Sequence, residues 1–307
     1  MARLNTSALL LLTAAVATAA PRAPSFRNST APSFRNSTAP SFRNSTGPSS
    51  GGNLTGPPAG APTFSAAAAP SPPKALPQRA TANDLRWQPS LDFDTDGCYN
   101  VPAIDAEGNV AEGLPYEWVG LSSDCRDESD LDNNNVYARQ RCNSGWCVYL
   151  YGYYFEKDVP VAYFFGGGHR HDWEHIAVWV SDATGRAEYV AASQHGNYEV
   201  RPAADVRWDG DHPKMVYHKD GASTHCFRFA NEADDNIENH KGIWFRGDLV
   251  SYNGFPSTEI RDKLFAYDFG KATIDFKDST FPGAIGRAKP AGITFDVNLD
   301  EGSPGTP

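Results

Sequence analysis

Two apolar stretches, residues 146–155 and 176–180, constrain this chain more than anything else in it. They are nearly continuous in Tyr, Val, Leu, Ile and Trp. Their lengths and their β-branched and aromatic content read as buried strands rather than helices. Between them stands a polar cluster, His169-Arg170-His171-Asp172-Trp173-Glu174-His175, entered from Gly166-Gly167-Gly168. The cluster therefore lies at the mouth of a strand, on a loop whose glycines allow close approach to a ligand. No other stretch is as dense in groups that bind metal ions or move protons. A hydrogen-bonded polar turn at a strand end is the plainer reading of the same residues.

The rest of the second half supports a mostly β fold. Glu156-Lys157-Asp158 reads as a turn, and Val161 to Phe165 leads into the glycines. Short strands are expected at 187–192, 214–218 and 224–229, separated by Asp and Gly turns, which suits a β-sandwich. Residues 257–267 are the best helix candidate, with Pro256 before them and Ser257 as N-cap.

The N-terminal part differs in kind. A basic start, an apolar run from Leu9 and an Ala17-Thr18-Ala19 ending read as a cleaved signal peptide, residues 1–20. The mature chain is then expected to be secreted, extracellular and permissive for disulfides. Residues 21–82 are rich in Pro, Ser and Ala and repeat Ala-Pro-Ser-Phe-Arg-Asn-Ser-Thr three times. Asn28, Asn36, Asn44 and Asn53 each open a glycosylation sequon, so this segment reads as a disordered, glycosylated stalk. The folded domain is expected over 83–300, with a polar tail at 301–307.

Charge is divided just as unevenly. Residues 1–80 hold seven Lys or Arg and no Asp or Glu, which leaves 20 basic and 37 acidic residues for the remainder, a balance of −17. Nucleic acid is therefore not an expected partner, and simple attraction to an anionic membrane is disfavoured. A bound cation would have to mediate contact with phosphorylated head groups. Asp92, Asp94 and Asp96, followed by Gly97, resemble the start of a calcium loop, though Ala103 stands where an EF-hand needs Glu. They form a possible second calcium site; a solvated acidic loop is the alternative. Five cysteines occur. Cys142 and Cys147 flank a turn-like tetrapeptide and can staple a hairpin. Cys98 with Cys125 would close a longer loop, leaving Cys226 as a buried free thiol.

Along a strand, alternate residues share a face, so Asp172 and Glu174 point together while Trp173 and His175 face the other way. Two carboxylates and an imidazole such as His169 suit Ca²⁺ or Mg²⁺, with Mn²⁺ also admissible, and Asp158 could add an oxygen. The spacing departs from the common zinc-enzyme patterns, and neither H-E-x-x-H nor a Gly-x-Ser-x-Gly elbow occurs.

Gly168-His169-Arg170-His171-Asp172-Trp173-Glu174 resembles the signature heptad of the necrosis- and ethylene-inducing peptide-like proteins. Tyr153 to Asp158, Ser193 with His195, Phe269-Gly270-Lys271-Ala272 and residues 281–290 are similar to further family segments, and coverage runs over about 83–296. The resemblance implies a β-sandwich with external helices, similar to actinoporin toxins, and a secreted cation-dependent cytolysin without a catalytic reaction. Its implied partners are glycosyl inositol phosphorylceramide sphingolipids of plant plasma membranes, met by a monomer. Carried over, Asp158, His169, Asp172 and Glu174 would hold the cation directly or through water, and His195 would line the same cavity. Cys98–Cys125 and Cys142–Cys147 resemble the bridges of the four-cysteine subgroup. Two features depart from the family: the stretch 159–168 is longer than in single-disulfide members, and the stalk is additional. The competing readings are a metal-dependent hydrolase of cell-wall or lipid substrates and a non-toxic surface-binding module.

Overall fold

The computed structural model describes residues 70–302, 305 and 307. The expected signal peptide, the octapeptide repeats and the sequons at Asn28, Asn36, Asn44 and Asn53 lie outside the described residues.

Among the described residues ten strands form two sheets. They are β1 (Ser90–Phe93), β2 (Asn135–Asn143), β3 (Trp146–Asp158), β4 (His169–Ser181), β5 (Arg186–Gln194), β6 (Asn197–Pro202), β7 (Trp208–Asp209), β8 (His212–Lys219), β9 (His225–Phe229) and β10 (Asp248–Ser251). The large sheet runs β10-β2-β3-β4-β5-β6, antiparallel except for β10 beside β2. The smaller sheet has β8 at its centre, flanked by β1, β7 and β9.

Long central strands arise because both faces of the large sheet are covered. Tyr149, Tyr151, Tyr153 and Phe155 of β3 turn towards the small sheet and meet Phe93, Met215, Tyr217 and Phe227. Val148, Leu150 and Tyr154 turn the other way, onto a layer of helices and C-terminal chain carrying Leu264, Phe276, Phe281 and Ile285. Alternate residues thus feed two cores, which is why β3 reads as a continuous apolar run. Gly152 is required inside β3, since a Cβ there would stand 2.4 Å from the Phe276 ring. The fold is a β-sandwich with helices outside. The outer layer includes α3 (Thr258–Ala266) and α4 (Phe281–Arg287); α1 (Ala82–Trp87) and α2 (Glu128–Asp132) are short. Ser257 caps α3 by accepting from the Ile260 N–H.

Both expected disulfides form, Cys98–Cys125 and Cys142–Cys147, and Cys226 is a buried free thiol. The second bridge joins directly paired residues of β2 and β3.

Four expectations are corrected. The packed chain starts before residue 83: Leu76 is buried, and the N–H groups of Ala75 and Leu76 donate to the Asn133 and Asn135 side chains at 2.7 and 2.8 Å. Glu156-Lys157-Asp158 is not a turn but the end of β3, and the polar cluster belongs to β4 rather than to a loop. Both are held by the ladder, in which Asp158 faces His169 and Phe155 faces Asp172. Lastly, Asp92, Asp94 and Asp96 do not converge. Asp92 is buried in β1 and accepts from the N–H groups of Glu238 and Asn239 and from the Asn239 amide. Asp94 pairs with Arg228 at 3.1 Å, and Asp96 lies 3.9 Å from His225 Nε2. The motif is a strand end followed by a turn, with the carboxylates of Asp92 and Asp94 already committed to protein partners.

Candidate functional site

The end of β3 and the start of β4 open into a cavity of about 560 Å³, closed on other sides by the β5–β6 turn, the start of β9 and the 271–287 region. Asp158, His169 and Asp172 bring one ligand atom each to within 4.8 Å of one another. Strict alternation would place His169 and Asp172 on opposite faces. His171 between them adopts a left-handed conformation, φ 61°, which breaks the alternation and lets both reach the same space. Gly168 is needed immediately before: a Cβ there would stand 2.5 Å from the Asp158 carbonyl oxygen.

Each of the three is oriented by a partner. His169 Nδ1 lies 2.7 Å from the His171 carbonyl. A carbonyl can only accept, so Nδ1 carries the proton and Nε2 keeps its lone pair for a ligand. Asp158 accepts from the His225 N–H at 2.9 Å and pairs with His225 Nδ1 at 2.7 Å. Asp172 accepts from the Tyr217 hydroxyl at 3.1 Å. The Tyr217 ring stacks on Phe155, with centroids 3.8 Å apart, and is fixed by that contact.

Glu174 lies one step further along the same face and lines the same cavity. It accepts from the Ser193 hydroxyl, which in turn accepts the His175 N–H at 2.7 Å. It stands beside the group of three rather than within it. His195 occupies the tight turn between β5 and β6, lines the cavity, and pairs with Asp220 at 2.9 Å. Trp173 and His175 face the helical layer. Burial drives the His175 imidazole down to about 3, so it is neutral. His171 is lowered to about 4 by burial; it packs against Phe269, and its Nδ1 is 2.7 Å from the Tyr154 hydroxyl. Arg170 reaches outward to the Glu112 carbonyl.

The electrostatics favour a cation. Burial raises the carboxyls of Asp172 and Glu174 above the ordinary range; Asp158 adds to this at Asp172, and Asp172 adds to it at Glu174. Among the described residues, no Lys or Arg pairs with Asp158, Asp172 or Glu174. Buried carboxylates without a counter-charge are costly, and a divalent ion removes that cost. Oxygen donors with one imidazole fit Ca²⁺ or Mg²⁺. The basic groups nearby lie elsewhere on the cavity wall, in Lys271 and Arg287, the latter 3.0 Å from Asp275.

Sequence reasoning missed His225 and Tyr217 as supports of the site. Both lie in strands that were legible, but their partners come from the opposite sheet, and no local spacing encodes that contact. Alternation within 214–218 and 224–229 could have identified their inward face.

The fold is that of the solved necrosis-inducing proteins. Residues 81–288 match the family described as Necrosis inducing protein (NPP1), and the chain belongs to that family. It is 30% identical over 208 residues to NLP effector protein 10 of Phytophthora capsici, covering 66% of this chain and 81% of that one. Among solved structures it is similar to necrosis and ethylene inducing protein 2 from the agent of cocoa's witches' broom disease. That match has TM-score 0.59 and 26% identity, over 70% of this chain and 94% of that one. A further match is NLPPya in complex with mannosamine, with TM-score 0.58 and 30% identity, over 70% and 95%.

Proposed function

We propose that this protein is a secreted, cation-dependent cytolysin and elicitor that recognises phosphorylated sugar head groups of plant plasma-membrane sphingolipids and damages the bilayer. The observation that carries this reading is the group Asp158, His169 and Asp172 in an open cleft, its two carboxylates buried and, among the described residues, paired with no Lys or Arg. A divalent ion, Ca²⁺ or Mg²⁺, held there supplies positive charge to a head-group phosphate, which this acidic domain otherwise repels. Glu174 stands ready to hold an ion-bound water, and Lys271 and Arg287 offer further positive charge to an anionic ligand. A relative crystallised with mannosamine supports sugar recognition in a protein of this kind. Recognition needs no covalent step, so we read the protein as a non-enzymatic binder. Ser193, the hydroxyl nearest Glu174, is committed to hydrogen bonds on both sides.

Dye release from vesicles tests the reading. The full chain should release dye from phosphatidylcholine vesicles containing glycosyl inositol phosphorylceramide, and neither chelator-treated protein nor Asp172→Asn should do so. Release that ignores both treatments would contradict the ion-bridged mechanism. Turnover of an ester or glycoside, lost in Asp172→Asn, would favour a hydrolase instead.

A further inference from the structure

The ribbon between the two strands that build the cluster, residues 159–168, is Val-Pro-Val-Ala-Tyr-Phe-Phe-Gly-Gly-Gly and carries no charge. It leaves β3 directly after Asp158 and enters β4 directly at His169, so its two ends are themselves members of the cation cluster. Past the buried Val159 and Pro160, its large side chains are not folded inward. Tyr163 is 70% exposed, Phe164 57%, Phe165 61% and Val161 47%, and Trp118 beside them is 67% exposed. Backbone bonds join the two segments: the Tyr163 N–H donates to the Val119 carbonyl at 2.8 Å, and the Trp118 N–H to the Phe164 carbonyl at 3.3 Å. The Lys157 ammonium donates to the Gly120 carbonyl at 3.3 Å, and the Cys98–Cys125 bridge closes the base. Of seven exposed large apolar side chains among the described residues, five sit in this one patch. Exposed apolar residues scattered singly need no explanation, but a contiguous aromatic group marks an interaction surface.

We propose that Trp118, Tyr163, Phe164 and Phe165 form a wedge that enters the apolar boundary of a lipid bilayer beside the cation site. The inference rests on the head-group reading above and adds the second half of the contact. Three features select lipid as the occupant. The side chains project from a ribbon rather than lining a groove shaped for a protein partner. Trp and Tyr prefer the boundary between head groups and acyl chains, where their rings are apolar and their N–H and O–H stay wet. The domain is strongly acidic, so long-range attraction to an anionic membrane cannot hold it there. Head-group coordination and apolar insertion must then supply the affinity together. Among the described residues no helix is long and apolar enough to cross a membrane. Gly166 and Gly167, at φ 99° and 85°, take the left-handed turn by which the ribbon returns to β4.

The test uses the full chain, Phe164→Ser/Phe165→Ser and Trp118→Phe. Vesicles of phosphatidylcholine with glycosyl inositol phosphorylceramide are made with and without brominated acyl chains, in calcium or in chelator. Bromine should quench a fluorescence component present in the wild type and missing in Trp118→Phe. The double variant should bind vesicles about a hundredfold more weakly, roughly tenfold per ring, while its calcium affinity and near-ultraviolet circular dichroism stay as in the wild type. Wild-type vesicle binding by the double variant, or an unquenched Trp118 on vesicles that carry bound protein, would overturn the inference while leaving the head-group reading intact. So would self-association of the wild type that the double variant abolishes without losing vesicle affinity. Quenching that persists in chelator and on vesicles lacking the sphingolipid would overturn the head-group reading and leave the wedge standing. Soluble head group bound by a protein that binds no vesicle would overturn the wedge alone.

Discussion

Two acidic regions of this protein look alike on paper and differ in the fold. Asp92, Asp94 and Asp96 have the alternating pattern of a cation loop, yet backbone amides and Arg228 already occupy Asp92 and Asp94. Asp158 and Asp172 are 14 positions apart in the sequence, yet β3–β4 pairing brings them together with His169. Their partners are a hydroxyl and an imidazole, which orient a carboxylate without neutralising it fully. A cation site is thus marked less by the number of acids in a row than by buried acids that lack a protein counter-charge.

The largest expected difference comes from exchanging one carboxylate in each region. Asp172→Asn should lower calcium affinity by more than about a hundredfold, since it removes a ligand rather than a support of one. Asp92→Asn should leave calcium affinity unchanged. Its effect falls on stability, by roughly 1–3 kcal/mol in urea unfolding, because the amides of residues 238 and 239 lose a charged acceptor. A fall in calcium affinity for Asp92→Asn comparable to that of Asp172→Asn would erase the distinction.

Support residues should give an intermediate effect. His225→Ala leaves the Asp158 oxygens in place but removes the imidazole that aims one of them, so affinity should drop by about 10–100-fold. Tyr217→Phe removes one hydrogen bond and keeps the stacked ring, so a drop of about tenfold is expected. Calorimetric titration with Ca²⁺ separates these from Asp172→Asn by size.

A smaller and graded effect is expected with pH. Burial, and the neighbouring Asp158, push the Asp172 carboxyl up to about 7. A raised acid holds its proton in the folded state at a pH where the unfolded chain has already released it. Without ion, that contribution to stability is fully present below the ordinary carboxyl range and is lost as pH rises through about 7. The ion competes with the same proton, so calcium affinity should climb over this window, and calcium should stabilise most at its upper end. Asp172→Asn should flatten both trends; an affinity that falls between pH 5.5 and 7.5 would contradict the assignment.

Much of this was legible because strands carry their alternation in the sequence. Asp172 with Glu174 on one face and Trp173 with His175 on the other follows from period two alone. The α3 boundary at Ser257 and the Cys142–Cys147 bridge were equally local. Three things were not. The left-handed turn of the backbone at His171, which brings His169 onto the Asp172 face, occurs at a residue type with no strong signal for it. The docking of Leu76 depends on Asn133 and Asn135, some sixty residues away. The roles of His225 and Tyr217 arise where two sheets meet. The last two are non-local contacts, and a window of neighbouring residues does not contain them.

The central claim is that one ion binds between Asp158, His169 and Asp172, and not at the calcium-like sequence. Calorimetric titration of the chelator-stripped full chain with Ca²⁺, beside Asp172→Asn and the triple change of Asp92, Asp94 and Asp96 to Asn, tests it directly. One site in the wild type, none in Asp172→Asn, and one of unchanged affinity in whatever triple variant remains folded by circular dichroism is the predicted result. A site that survives Asp172→Asn and disappears from a folded triple variant would contradict it.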